Sequence, residues 1–292
     1  LPMKIKEILA WAQEEIYKGT SSNIPARESE ILLEYILKIS REKLYIKLYE
    51  ECPEEYLKEY KAIVLERASG KPLSYITHTK EFMSLPFFVN SSVLIPRPDT
   101  EILVEEVLTI AKNIKNPTIL DIGTGSGCIG LSIASYLKEG SLCVTDISPE
   151  AIAIAKKNAD NLSLRSISFY CGDLFEPVQG LNFDIIVSNP PYIAYEEINS
   201  ISKEVKDYEP SLALFGAEKG LFFYKKIISE SKNHFKKEGF LAFETGIGQA
   251  EQVSNLMKIH NFRHIKIVKD LSGIERVVTG MSSDRLSVTS YQ

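Results

Sequence analysis

Ile119-Leu120-Asp121-Ile122-Gly123-Thr124-Gly125-Ser126-Gly127 is the stretch that decides the fold. An apolar run ending in an acid passes straight into a loop with glycine at every second position. Glycine turns the backbone sharply and lets a ligand approach it closely. The residues beyond, Cys128–Leu137, read as a helix. Strand, glycine loop and helix open a βαβ unit, whose ligands sit at the carboxyl ends of the strands. Gly125, Gly127 and Gly130 also satisfy G-x-G-x-x-G, so a nicotinamide or flavin dinucleotide site is an alternative reading of the loop.

Toward the C-terminus the alternation continues. Strand-like runs are Leu142–Asp146, Ile167–Tyr170, Phe183–Val187 and Phe240–Phe243, and helical stretches are Pro149–Ala159, Leu221–Phe235 and Gln249–His260. Such alternation predicts an α/β fold with a parallel sheet covered by helices on both faces. The polar stretch after Met281 is expected to fray.

Toward the N-terminus the pattern changes. Residues up to about Ser69 read as helical, with Ile5, Ile8, Leu9, Ala12 and Ile16, and again Leu57, Tyr60 and Val64, at helical spacing. Pro25 suits a first helical turn, and Gly70-Lys71-Pro72 closes the block. The carboxylates there are expected on a solvated face, and a bundle without chemistry of its own suggests a recognition module. Glu81–Val89 and Val93-Leu94-Ile95 read as the arms of a β-hairpin around Asn90-Ser91-Ser92. Pro96-Arg97-Pro98 stops it, and Asp99 is expected to cap the helix that follows.

Three further features fall at carboxyl ends of predicted strands. Asp146 could accept both ribose hydroxyls of a nucleoside, with Ile147 beside it, or could be a capping acid; Ser148-Pro149 caps the next helix. Asp173, in Cys171-Gly172-Asp173-Leu174, could accept from an adenine amino group with Leu174 against the ring, or could be a turn acid. Asn189-Pro190-Pro191-Tyr192 ends the fourth strand. An Asn side chain offers a carbonyl acceptor and an amide donor group. Two prolines fix the backbone and remove its donors, and the Tyr adds a flat apolar face. Together they form a rigid, hydrogen-bond-accepting pocket suited to an NH2 group.

Composition sets outer limits. At 292 residues, with 44% hydrophobic and 25% charged residues, the chain is globular rather than disordered. No apolar run approaches the roughly 20 residues of a membrane span. The start, Leu1-Pro2-Met3-Lys4-Ile5, lacks a signal-peptide layout, and Met3 is expected to be the natural first residue. Cys52, Cys128, Cys143 and Cys171 form no ligand spacing, so no metal site is expected, and buried thiols in a reducing cytoplasm are. A net charge of −5 argues against extended nucleic-acid contact.

The order of Asp121–Gly127, Asp146, Gly172-Asp173-Leu174 and Asn189–Tyr192 resembles methyltransferases acting on planar NH2 groups. Gly70–Ile76, Val93–Glu101, Pro210–Gly216 with Gly220-Leu221, Glu244-Thr245-Gly246 with Gln249, and Asp270–Gly273 resemble, more narrowly, the HemK/PrmC family of release-factor glutamine methyltransferases. The resemblance runs from about residue 5 to 280. His78 stands where that family often has Gly, and Ile274-Glu275-Arg276 replaces a common Arg-Asp-Arg run.

The resemblance implies a class I S-adenosylmethionine-dependent methyltransferase: a Rossmann-like, seven-stranded, mostly parallel sheet with a small N-terminal helical domain and a β-hairpin linker. The expected domains are 1–72 for substrate recognition, 73–98 as the hairpin linker, 99–281 for catalysis and 282–292 as a tail. The implied cofactor is S-adenosyl-L-methionine, leaving as S-adenosyl-L-homocysteine, held by Asp121, Gly123, Thr124, Gly125, Ser126, Gly127, Asp146, Ile147, Asp173, Leu174 and Asn189. The implied reaction methylates the side-chain nitrogen of the Gln in the GGQ loop of class 1 peptide-chain release factors. Asn189, Pro190 and Tyr192 are the implied catalytic residues, and Asn189, Pro190, Pro191 and Tyr192 bind the substrate. A cytoplasmic monomer with no direct nucleic-acid or membrane partner is expected. Rival activities are a glutamine methyltransferase for a ribosomal protein, a nucleic-acid base N-methyltransferase, and a non-catalytic cofactor-binding module.

Overall fold

Ile5, Ile8, Ala12 and Ile16 are buried along one face of helix α1 (Ile5–Gly19). Burial of such a stripe, more than propensity, is what holds a short helix in water. It packs with Leu32, Leu33 and Ile36 of α2 (Pro25–Leu37), and with Tyr60 and Val64 of a later helix, in one core cluster. Pro25 occupies the first turn of α2, as its missing N–H allows. α3 (Arg41–Ile46), α4 (Glu54–Ala68) and α5 (Leu73–Thr77) complete the bundle. The computed structural model describes residues 3–20, 22–137 and 139–282. Leu1, Pro2 and all but the first residue of the expected tail lie outside them.

The chain divides into two units. The first runs to Thr79 and also includes Ser202–Tyr208; the second comprises Lys80–Ile201 and the residues from Glu209 onward. Within the first, two carboxylates expected on a solvated face are buried instead. Glu28 accepts from Arg67 Nε and Nη2, each at 3.1 Å. Glu30 accepts from Arg27 and Arg41 and from the Tyr45 hydroxyl. Buried charge persists only when paired in this way. Arg67 also meets Glu204 at 3.3 Å, inside the same unit.

The hairpin exists with a different turn. β1 (Thr79–Phe82) pairs with β2 (Leu85–Phe88) around Met83 and Ser84, whose φ angles are 50° and 55°. Two successive positive φ values are what a two-residue hairpin turn demands. Asn90–Ser92 forms a separate turn, with Ser92 N–H donating to Asn90 Oδ1, and Val93–Ile95 is not a strand. Pro98–Thr100 is a short 3-10 turn before α6 (Glu101–Ala111). Asp99 does not cap it but pairs with Arg276.

Next come β3 (Thr118–Ile122), α7 (Cys128–Tyr136), β4 (Ser141–Asp146), α8 (Pro149–Asn161), β5 (Ile167–Cys171) and β6 (Phe183–Ser188). α9 (Lys203–Tyr208), α10 (Ser211–Leu214) and α11 (Phe222–Ser231) lead to β7 (Phe235–Glu244), α12 (Ala250–Ile259), β8 (Phe262–Lys269) and β9 (Glu275–Ser282). The seven strands order as β5-β4-β3-β6-β7-β9-β8. Neighbours from β5 to β7 are parallel, and β9 runs antiparallel to β7 and β8.

Strand residues alternate between two cores. Ile119, Ile185 and Val187 join Leu103, Val107, Ile129 and Leu131 on one face. Leu120, Ile122 and Ile186 join Tyr224, Ile228, Val253 and Met257 on the other. A sheet buried on both faces explains why its strands read as continuous apolar runs. β3 is the first strand of the sheet yet lies at the middle of its five parallel strands, with β4 and β5 to one side and β6 and β7 to the other. That reversal opens a crevice at the carboxyl ends of β3 and β6.

Candidate active site

The crevice is a cavity of about 240 Å³. Gly123, Thr124, Gly125, Ser126, Asp146, Ile147, Asp173, Leu174, Asn189, Pro190 and Pro191 all line it. Asp121, Gly127 and Tyr192 do not; they stand behind its walls and shape them.

The glycine loop is held from within the sheet. Gly123 and Thr124 N–H both donate to Thr145 O, at 2.9 and 3.0 Å, tying the loop to the end of β4. Gly123, Gly125 and Gly127 have φ of 71°, 56° and 84°. A side chain would strain this left-handed run, and a Cβ built on Gly123 or Gly125 meets nothing within 4 Å, so the backbone faces open space. Asp121 is fully buried under the loop. Its Oδ2 accepts from Thr124 Oγ1 at 2.6 Å and from Gly130 N–H at 3.0 Å, while its Oδ1 has no partner among the described residues. Burial pushes this carboxyl up to about 6, against the pull of those two donors.

Asp146 ends β4. Its Oδ2 accepts from Gly125 N–H at 2.8 Å and its Oδ1 from Ser148 N–H at 2.9 Å. Desolvation raises its pKa even so. Ser148 Oγ accepts from Ala151 N–H and caps α8, leaving Asp146 free of that task. Ile147 is 58% exposed, an apolar face turned to solvent beside the acid. Asp173 lies past β5, 3.8 Å from Lys226 Nζ. Leu174 beside it is half-buried with φ 44°. Cys171, at the end of edge strand β5, is exposed rather than buried, and Cys128 and Cys143 are half-buried; only Cys52 matches the expectation of a buried thiol.

Asn189 follows β6 directly and is half-buried, whereas Pro190 is buried. Ser188 Oγ donates to Ile122 O at 2.8 Å and pins the end of β6 to β3. The remainder of the tetrapeptide is clamped from behind by residues whose tasks the sequence did not disclose. Gln249 Nε2 donates to Tyr192 O at 3.0 Å, and Gln249 Oε1 accepts from Gly246 N–H at 3.1 Å. A Cβ on Gly220 would sit 2.0 Å from Tyr192 O, so the backbone passes there only because the residue is glycine. Ile193 exchanges backbone bonds with Leu214 and Gly216. The Tyr192 hydroxyl lies 3.5 Å from Glu244 Oε1, and burial raises the pKa of that phenol.

The charges of Ile95–Glu101 also find structural tasks. Arg97 lines the cavity and pairs with buried Glu209, which also accepts from Ile95 N–H. Asp99 meets Arg276, and Glu101 accepts from Met83 N–H in the hairpin turn. His78 has φ 53° and ends α5, a conformation that favours glycine. Arg276, the part of the Arg-Asp-Arg run that is retained, bridges Asp99 and Asp270.

Comparison with known proteins identifies the family. The family model for the PrmC N-terminal domain matches residues 7–77, and that for the methyltransferase small domain matches residues 98–205. A release factor glutamine methyltransferase of Clostridium acetobutylicum is 44% identical over 279 residues, covering 94% of this chain and 98% of its own. One of Geobacter sulfurreducens is 39% identical over 276 residues, covering 94% and 96%. A methyltransferase crystal structure from Pyrococcus furiosus shares the fold at a TM-score of 0.51 and 16% identity, over 68% of this chain and 89% of that one. With its glycine loop, its strand-end acids and its mostly parallel seven-stranded sheet, the chain belongs to the release factor glutamine methyltransferase family.

Proposed function

We propose that this protein methylates the side-chain amide nitrogen of the Gln in the GGQ loop of class 1 release factors, using S-adenosyl-L-methionine. One observation carries the reading: Asn189 and Pro190 line the same cavity as the glycine loop and Asp146. An amide-accepting pocket and a nucleoside-sized groove thus share one space.

The residues present fit the cofactor. The open space before Gly123 and Gly125 admits a ligand against bare backbone. Asp146 keeps lone pairs beyond the two it spends on Gly125 and Ser148, enough for ribose hydroxyls. Ile147 and Leu174 offer apolar faces for an adenine ring, with Asp173 beside them as acceptor for its amino group. Thr124, Ser126 and Asn189 complete the wall, and Asp121 and Gly127 set the loop's shape. Bound there, the cofactor would supply an electrophilic sulfonium methyl, the S–C electron pair staying on sulfur as the methyl passes to nitrogen.

An amide nitrogen is a poor nucleophile because its lone pair is delocalised. Asn189 Oδ1 and the Pro190 carbonyl accept the two N–H groups of the substrate amide and orient its nitrogen. The same dipoles stabilise positive charge as it develops on nitrogen. The displaced proton leaves to solvent. Pro191 and Tyr192 keep these acceptors rigid. Residues 1–72 supply a second contact with the release factor, on which exposed Ile46 and Tyr49 are candidates. The enzyme acts as a cytoplasmic monomer without nucleic acid; among the described residues no helix is long and apolar enough to cross a membrane.

The test is to incubate the protein with labelled S-adenosylmethionine and purified release factor, ribosomal protein and RNA, then map the label by mass spectrometry. Label on the GGQ glutamine is expected; label confined to ribosomal protein or RNA overturns the proposal.

A further inference from the structure

Glu244 has no part in the reading above, yet its place in the sheet is telling. In the β6–β7 ladder Ser188 pairs with Phe243. Asn189 and Glu244 are therefore the next residues along two adjacent parallel strands. Glu244 is only 2% exposed. Its backbone is fixed, with Tyr224 Oη donating to its carbonyl at 2.9 Å and Thr245 N–H donating to Arg276 O at 2.8 Å. Of its carboxylate oxygens, Oε1 lies 3.5 Å from the Tyr192 hydroxyl and Oε2 has no hydrogen-bond partner among the described residues. A buried acceptor left open beside a catalytic amide calls for a reason.

The two ends of an Asn amide are nearly identical in shape, and a flip exchanges donor for acceptor. Flipped one way, Asn189 offers the substrate NH2 an oxygen; flipped the other way, it offers a second NH2. An ionised carboxylate accepts only, so it can face only the donor end. We propose that Glu244 is a positioning residue for methyl transfer: its carboxylate holds the Asn189 NH2 and so turns the Asn189 oxygen toward the substrate nitrogen. This rests on the glutamine-methylation reading.

The surroundings allow the contact to be switched. Burial pushes the Glu244 carboxyl up to about 7. The Thr100 hydroxyl, Arg276 and the Asn189 amide pull it down, and Asp99 pushes it up. Tyr192, Tyr224 and Cys128 are the other titratable groups facing it, all raised by burial and neutral near neutral pH. Protonated Glu244 can donate to the Asn189 oxygen, and the preference for the productive flip is lost.

The experiment compares wild type with Glu244→Gln from about pH 6 to about pH 9, a span set by the expected titration. Wild-type kcat on release factor should fall on an acid limb near pH 7. Glu244→Gln should lower kcat on the order of tenfold or more, abolish that limb, and leave KM for S-adenosylmethionine within about twofold. In wild-type protein carrying 15N-asparagine, the Asn189 side-chain NH2 resonances, assigned by their loss in Asn189→Ala, should titrate with the same midpoint. Wild-type kcat in Glu244→Gln, a lowered kcat that keeps the acid limb, or Asn189 resonances that do not move would overturn the proposal. If wild type leaves the release-factor glutamine unmethylated at every pH, the function fails instead, and the Asn189 titration, which needs no substrate, still decides the contact.

Discussion

Arg276 reaches from β9 to Asp99, just before α6, at 2.8 Å, while its Nε holds Asp270 at 3.0 Å. The pair ties the antiparallel strand β9 to the segment that leads into the cavity wall. Its two members differ in environment: the Arg276 side chain is 13% exposed and that of Asp99 is 50% exposed. Arg276→Ala should cost roughly 1–3 kcal/mol, because it also takes the partner from Asp270 Oδ2, while Asp270 Oδ1 keeps Ser272 and Ile274 N–H. Asp99→Ala should cost less than about 1 kcal/mol, as half-exposed ion pairs do. Urea denaturation of the two variants measures the contrast.

Asn189→Ala should leave the fold nearly intact, since the side chain is half-buried at a strand end. Its methyl-transfer rate should fall by a factor on the order of 10² or more, as loss of a preorganised acceptor does. Single-turnover methylation of release factor checks this, and near-normal turnover would count against the amide clamp.

Asp146→Ala acts on the other side of the cavity. It removes the acceptor for Gly125 and Ser148 N–H, and with it the group proposed to take the ribose hydroxyls. S-adenosylmethionine affinity should drop roughly 10- to 100-fold, the value of one or two charge-assisted hydrogen bonds. Calorimetry with S-adenosylmethionine, its demethylated product and NAD reads this directly; binding of NAD alone would revive the dinucleotide reading of the glycine loop.

Gly220→Ala should be far more harmful than its size suggests. The new Cβ would fall 2.0 Å from Tyr192 O, at a residue with φ +80°. Gln249→Ala removes the bond to the same carbonyl without a clash. Both should lower kcat by loosening the tetrapeptide, and Gly220→Ala should also lose roughly 2 kcal/mol or more of stability. Thermal melting and kcat on the two variants separate strain from lost anchoring.

Stability should fall as pH rises toward 8. Asp121 and Glu244 have folded pKa values of about 6 and about 7, above their ordinary values of 3.8 and 4.5. The folded state therefore binds more protons than the unfolded one between those limits. The stabilisation is complete below about pH 4 and is lost as pH rises through 6 and 7, by an amount on the order of a few kcal/mol. Urea midpoints at acidic and alkaline pH should show the decline, and Glu244→Gln should show a shallower one.

The parallel half of the sheet was legible because each strand is an apolar run closed by an acid or a polar turn, as at Asp121 and Asp146. β8 and β9 carry no comparable strand signal in the sequence. In Phe262–Lys269 only Phe262 is buried, and Arg263, His264, Lys266 and Lys269 are exposed, so the run lacks the continuous apolar signal of its neighbours. The sequence points to a hairpin turn at Asn90–Ser92, one turn too late, because Met83 and Ser84 carry positive φ without glycine or asparagine to announce it. Glu28 resembles a surface acid in the sequence because its partner, Arg67, lies 39 residues away, and of the partners that bury Glu30 only Arg27 is near, Arg41 and Tyr45 lying 11 and 15 residues on. Glu244 could have been found: an acid closing Phe240-Leu241-Ala242-Phe243 is the same strand-end signal as Asp121.

The assignment of Ser202–Tyr208 to the helical unit bears on how the chain is made. Glu204 reaches Arg67 only after the whole first half of the sheet has been synthesised. At ~5–20 residues per second the ribosome needs on the order of ten seconds to cover that interval. Until then the emerging bundle waits with Arg67 paired to Glu28 alone. Residues 1–79 are thus not the whole of the helical unit; one of its pieces is written far downstream, after Asn189-Pro190-Pro191-Tyr192.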